Sequence, residues 1–139
     1  MVAHTVSLEW IRENTYQLWD RDNFPILMTH APDGVNGADL LPLSLIGCSA
    51  WDIIDILKEQ DIKVAGLEVV AESQQDDDPP WQFRRILVHY RFHGRGLDMA
   101  SLRQAIQLSE SKFCSIFNTL RSAVEITTEV EIIEDERGI

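Results

Sequence analysis

Cys48 and Cys114 are the only two cysteines of the chain, and each stands where a thiol has chemistry open to it. Cys48 lies inside the apolar stretch from Asp39 to Leu57, and Cys114 follows Ser109-Glu110-Ser111-Lys112-Phe113. Brought together by folding, the two make a two-electron dithiol–disulfide pair. Kept apart, they are small buried hydrophobes, the commoner fate of a free cysteine. At 100° per residue Ser44, Cys48, Asp52 and Asp55 fall along one side of a helix, its only partly polar stripe. Such a stripe must face water or a polar partner. Its carboxylates disfavour a thiolate at Cys48, so a reactive Cys48 needs a cation from elsewhere in the fold. With Ser109 as a helix N-cap, Cys114 would sit one turn in, where the helix dipole and Lys112 lower a thiol pKa.

The remaining candidates point less sharply. His89 and His93 share a strand face, but four residues apart they are ~13 Å distant, too far to share one metal, so no metal is expected. Arg84, Arg85, Arg91 and Arg95 gather positive charge on one hairpin of an otherwise acidic chain. Pairing with the protein's own carboxylates across a dimer is the simpler account, and an anion or partner site the alternative. Trp51, Phe113 and Phe117 lie within a helical turn of the cysteines; they are core aromatics by default, or the walls of an apolar pocket. The chain holds no Ser-His-Asp order, phosphate-cradling glycine loop or Cys-x-x-Cys pair, so hydrolase and nucleotide-binding functions find no support.

These residues must be positioned by one compact domain, residues 1–139, since the length is too short for two ordinary ones. A hydrophobic fraction of 45% predicts a folded chain, and a net charge of −11 argues against nucleic-acid or membrane-surface binding. Met1 to Thr5 lacks the basic start of a signal peptide, and no apolar run is expected to span a bilayer, which places the protein in the cytoplasm. In that reducing setting a cysteine pair is more often redox-active than structural.

The patterning predicts a long strand over Val6 to Trp19, bulged near Arg12 to Asn14, and a return strand over Phe24 to Thr29. A helix runs from Asp39 to about Glu59, capped by Asn36 or Asp39, apolar all round and therefore buried all round. A second hairpin pairs Lys63–Glu72 with Trp81–Phe92, whose Ile86, Val88, Tyr90 and Phe92 share one face. Asp98 caps a helix through Leu108, Ser109 opens a second short helix carrying Cys114, and Val124 to Ile132 is a half-buried strand. The order describes an α+β domain with a sheet wrapped on a central helix.

Three stretches resemble the OsmC/Ohr family. Asp39-Leu40-Leu41-Pro42-Leu43-Ser44-Leu45-Ile46-Gly47-Cys48 is similar to its long central helix with a Gly-Cys step. Asp78-Pro79-Pro80-Trp81-Gln82-Phe83 resembles its Pro-Pro and aromatic strand opening. Gly94-Arg95-Gly96-Leu97-Asp98, followed by Ala105 to Ser115, resembles its glycine turn, leucine-serine junction and second cysteine. The resemblance implies the OsmC-like fold, an antiparallel sheet on a long helix, in an interlocked homodimer. It implies a thiol peroxidase for organic hydroperoxides that needs no metal or organic cofactor and is recycled by an external dithiol reductant. Carried over by position, Cys48 is the attacking thiol and Cys114 the resolving one. Asp39 stands at the place of the family's glutamate, and Arg21, with Arg12 in reserve, at that of its activating arginine. The rival from another class is a non-catalytic dimer of the same fold that binds a small ligand or a partner.

Overall fold

The computed structural model describes residues 1–134, which cluster into two compact units, Met1–Leu41 and a second beginning at Pro42. The first unit is a three-stranded antiparallel sheet of β1 (Ser7–Arg12), β2 (Thr15–Trp19) and β3 (Pro25–Met28) in sequential order. Here the long strand expected over Val6 to Trp19 is corrected. The chain reverses at Glu13 and Asn14, with Glu13 at φ 43°, and Ser7 pairs with Trp19. The change of alternation phase near Arg12 marks two strands, not a bulge within one. A 3-10 turn, Gly37–Asp39, follows; Asn36 caps it, its side-chain oxygen accepting from the Ala38 N–H at 3.0 Å.

The helix α1 (Leu40–Glu59) opens with Pro42 in its first turn, where no internal hydrogen bond is lost. By length and composition Gly37–Glu59 is apolar enough to cross a bilayer, which corrects the expectation that no run is long enough. A core helix passes the same test, and α1 places Leu45, Ile53, Ile56 and Leu57 at the centre of the second unit's core. Burial is nevertheless one-sided. Leu43, Gly47 and Trp51, one turn apart along the opposite side, are exposed, Trp51 by 75%. The expectation of burial all round therefore fails within a single chain.

The second sheet has the order β4-β5-β6, built from β4 (Gly66–Gln75), β5 (Phe83–Gly94) and β6 (Glu125–Glu134). β4 and β5 form the expected antiparallel hairpin, with Leu67 opposite Phe92 and Val69 opposite Tyr90. β6 pairs with β5 in parallel, Arg85 with Glu125 through Gly94 with Glu134, so the sheet is mixed and not antiparallel. The cause is the path between them. Two helices, α2 (Met99–Leu108) and α3 (Ser115–Leu120), carry the chain back to the end where β5 began, and such a crossover delivers a parallel strand. Ile86, Val88, Tyr90 and Phe92 are all buried on one face, and they meet α1 and the Leu102, Ala105 and Ile106 side of α2 in one core.

The other face of this sheet is ionic. Arg85 pairs with Glu125 at 2.8 Å, Arg91 with Glu131 at 3.3 Å, and the His89 ring bridges Glu129 and Glu131 at 3.2 and 3.1 Å. Arg84 pairs with Asp76 at 2.8 Å. Arg84, Arg85 and Arg91, expected to seek carboxylates across a dimer, thus find them within the chain. His93, which shares the strand face of His89 in the sequence pattern, is buried and pairs with Glu68.

Candidate active site

The second unit brings together the two cysteines that the sequence singled out. On α1, Cys48 and Asp52 are one turn apart and share a side, while Ser49, next in sequence, points into the core. The partner comes from the end of α2. Instead of a fresh helix capped by Ser109, the chain makes a π-helical turn over Ser109–Phe113, closed by the Cys114 N–H donating to the Ser109 carbonyl at 2.8 Å. Such turns recur at functional sites because they displace the next residue from the regular helical path. Cys114 is thereby left extended, and it is itself the N-cap of α3, its Sγ accepting from the Phe117 N–H at 3.3 Å.

Cys114 is fully buried, and its Sγ also accepts from the Ser49 hydroxyl at 3.3 Å. Both donors favour a thiolate. Burial outweighs them and pushes the Cys114 thiol up, and the neighbouring Cys48 raises it further. The expectation of a thiol lowered by the helix dipole is therefore corrected: the helix end contributes one donor, and the dry surroundings prevail.

Both cysteines are free thiols. Their sulfurs and a carboxylate oxygen of Asp52 all lie within 4.8 Å of one another. A disulfide needs sulfurs ~2.05 Å apart, so the two must draw closer before they can bond. Burial and the nearby charge of Asp55 raise the Asp52 carboxyl pKa. The Ser109 hydroxyl is close enough to oppose that shift, but outside hydrogen-bonding geometry. Among the described residues neither Asp52 Oδ2 nor Ser109 Oγ, both buried, has a hydrogen-bond partner. Behind Cys114, the buried Tyr90 phenol is pushed up to about 12, chiefly by burial, and the Ser49 hydroxyl acts against that rise. Glu110, raised by burial, accepts from the Thr128 hydroxyl at 3.0 Å.

Sequence reasoning placed Cys48 and Asp52 on one stripe and missed Ser49 and Ser109. The helical register puts Ser49 toward the core, a usable signal; Ser109 is marked locally only as a helix cap. The trio Cys48, Asp52 and Cys114 is also compact enough to grip one thiophilic cation, a grouping that the histidine spacing did not suggest. Trp51 lines a groove of about 500 Å³ with Gly47, Ala50, Ile54, Asp55, Lys58 and Leu67. Phe113 is exposed on the π-helical turn, and Phe117 packs half-buried against the core. Arg12 ends β1, Arg21 lies in the turn between β2 and β3, and Asp39 closes the 3-10 turn; all three are exposed residues of the first unit.

A profile of the OsmC-like protein family matches residues 30–129. The chain is 30% identical over 132 residues to the protein YhfA of Escherichia coli, an alignment covering 91% of this chain and 96% of that protein. A solved structure of a hypothetical protein from Aquifex aeolicus superposes with a TM-score of 0.87 at 24% identity, covering 98% of this chain and all of that one. A structure described as an organic hydroperoxide resistance protein OsmC and predicted redox protein from Legionella pneumophila gives 0.68 at 14% identity, covering 94% of this chain and 99% of that one. The mixed α+β fold, two small sheets and a long helix, is that of OsmC-like structures, and the chain belongs to the OsmC-like protein family.

Proposed function

We propose that the protein is a thiol peroxidase that reduces organic hydroperoxides to alcohols. The observation that carries the reading is the approach of two reduced cysteines, one half-buried and one fully buried, to within 4.8 Å. The Cys48 thiolate attacks the distal peroxide oxygen; the O–O bond breaks, the alcohol leaves with a proton, and Cys48 becomes a sulfenic acid. Cys114 then displaces the hydroxyl as water to form the Cys48–Cys114 disulfide, which an external dithiol reduces. Arg21, with Asp39 beside it in the family pattern, is the residue we assign to supply positive charge for the attacking thiolate. Trp51, Phe113 and Phe117 supply aromatic surface that favours an apolar hydroperoxide over hydrogen peroxide.

The working unit is a homodimer. Supporting this are the exposed apolar side chains of α1, Leu43 and Trp51, and of β1, Leu8, Trp10 and Ile11. The cytoplasm, where dithiol reductants abound, is the compartment in which such a cycle turns over.

One observation favours a second reading. A carboxylate within 4.8 Å of both sulfurs opposes thiolate formation, as it would in a dimer that binds a ligand or partner without redox chemistry. Mass spectrometry after one equivalent of cumene hydroperoxide decides between them. The peroxidase loses two hydrogens in the wild type and gains one oxygen in Cys114→Ser. An unchanged mass in both overturns the proposal and leaves the binding module.

A further inference from the structure

Cys114 presents a difficulty that the peroxidase scheme leaves open. Its thiol must lose a proton to attack the sulfenic acid, yet it is fully buried, the Ser49 hydroxyl and the Phe117 N–H at its sulfur are positioned to donate, and the third group against it, Cys48, is the residue it attacks. Donors stabilise the sulfur anion but do not take its proton. Tyr90, with its phenol near 12, stays protonated, and Glu110 is engaged by Thr128. On α1, Asp55 is exposed, whereas Asp52 lies within 4.8 Å of both sulfurs with its buried Oδ2 unpartnered among the described residues. A buried carboxylate oxygen without a hydrogen bond is costly, and such an atom calls for a role.

We infer that Asp52 carries the proton from Cys114 to the group that leaves Cys48 when the disulfide closes, and hands Cys114 a proton from the external dithiol when the disulfide is reduced. The inference rests on the redox reading above. In the closing step the Cys114 S–H bond and the Cys48 S–O bond break while the S–S bond forms. Asp52 accepts the thiol proton and delivers it to the departing hydroxide, which leaves as water. The two electrons were already transferred when peroxide oxidised Cys48, so no further oxidant enters. A carboxylate within 4.8 Å of both sulfurs suits this task, because a proton carrier must reach donor and acceptor alike. The helix holds Asp52 one turn from Cys48, so the carboxylate stays in place while Cys114 moves to close the bond.

The test separates the two steps by rapid mixing with cumene hydroperoxide. On the Cys114→Ser background, sulfenic acid formation reports attack alone, and Asp52→Asn leaves it unslowed or faster, because a negative charge beside the thiol is gone. On the otherwise wild-type chain, Asp52→Asn slows disulfide closure about 100-fold and flattens its rise with pH; Asp52→Glu, which keeps a carboxylate, recovers part of the rate. Closure at the wild-type rate from roughly pH 5 to 9 in Asp52→Asn overturns the inference. So does an equal loss in both steps without recovery in Asp52→Glu, which marks a purely structural role. Should Cys114→Ser form no sulfenic acid, the peroxidase reading fails separately, and closure is then driven with oxidised glutathione, where the proton passes to the leaving glutathione thiolate. A slower closure in Asp52→Asn there upholds the proton role, and equal rates end it.

Discussion

Ser49 controls how easily Cys114 ionises, because its hydroxyl supplies one of the two hydrogen bonds to that sulfur. Removing it in Ser49→Ala deprives the thiolate of about 1 kcal/mol, about a fivefold smaller anion population. Alkylation of Cys114 by iodoacetamide across a pH series, in a Cys48→Ser background, should show that slowing; an unchanged profile means the bond does not hold in solution. Asp52 contributes in the opposite sense to stability. Its folded pKa is raised, so the folded state binds the proton more tightly than the unfolded chain does. The stabilisation from the protonated form is complete below the unfolded carboxyl value of ~3.9 and is lost as pH rises through the raised folded value. Asp52→Asn should accordingly raise Tm at neutral pH and leave it unchanged at the acid end, as thermal melts over that range will report.

At the level of elements, α1 has two unlike sides. Ile53 is fully buried against the second sheet, and Ile53→Ala should cost about 2–5 kcal/mol in urea unfolding, the range for a core side chain whose site cannot fully collapse. Local pattern predicted this helix, the Asp98 cap of α2 and the buried face of β5, and it offered Asn36 or Asp39 as the helix cap, of which Asn36 caps the 3-10 turn upstream, because capping and periodicity act over a few residues. It failed where two local solutions compete. Val6 to Trp19 alternates well enough for one strand, and only pairing of Ser7 with Trp19 makes it a hairpin. Ser109 is a good N-cap residue by type, yet the turn it opens is π-helical and the capping role passes to Cys114.

In the whole molecule, the apolar surface that the single chain leaves uncovered is the feature on which the proposed dimer rests. No apolar side chain of the first unit is buried among the described residues, and Val6, Leu8 and Trp10 are each more than half exposed. On α1, a Cβ at Gly47 would meet nothing within 4 Å. Exposed patches of this kind mark interfaces. Sedimentation should therefore give a dimer, and the double change Leu43→Glu with Trp51→Glu should shift it to monomer; a wild-type monomer refutes the assembly. The amino-acid sequence alone determined the long helix, the second hairpin, the Asp98 cap, the polar stripe holding Cys48 and Asp52, and, through its family motifs, the pairing of Cys48 with Cys114 as an expectation. Only the tertiary structure decided that the sulfurs lie within 4.8 Å, that Ser49 bonds to Cys114, and that β6 runs parallel to β5. Periodicity records which face of an element is apolar, but which faces meet depends on the path of the chain between them and on how their side chains pack.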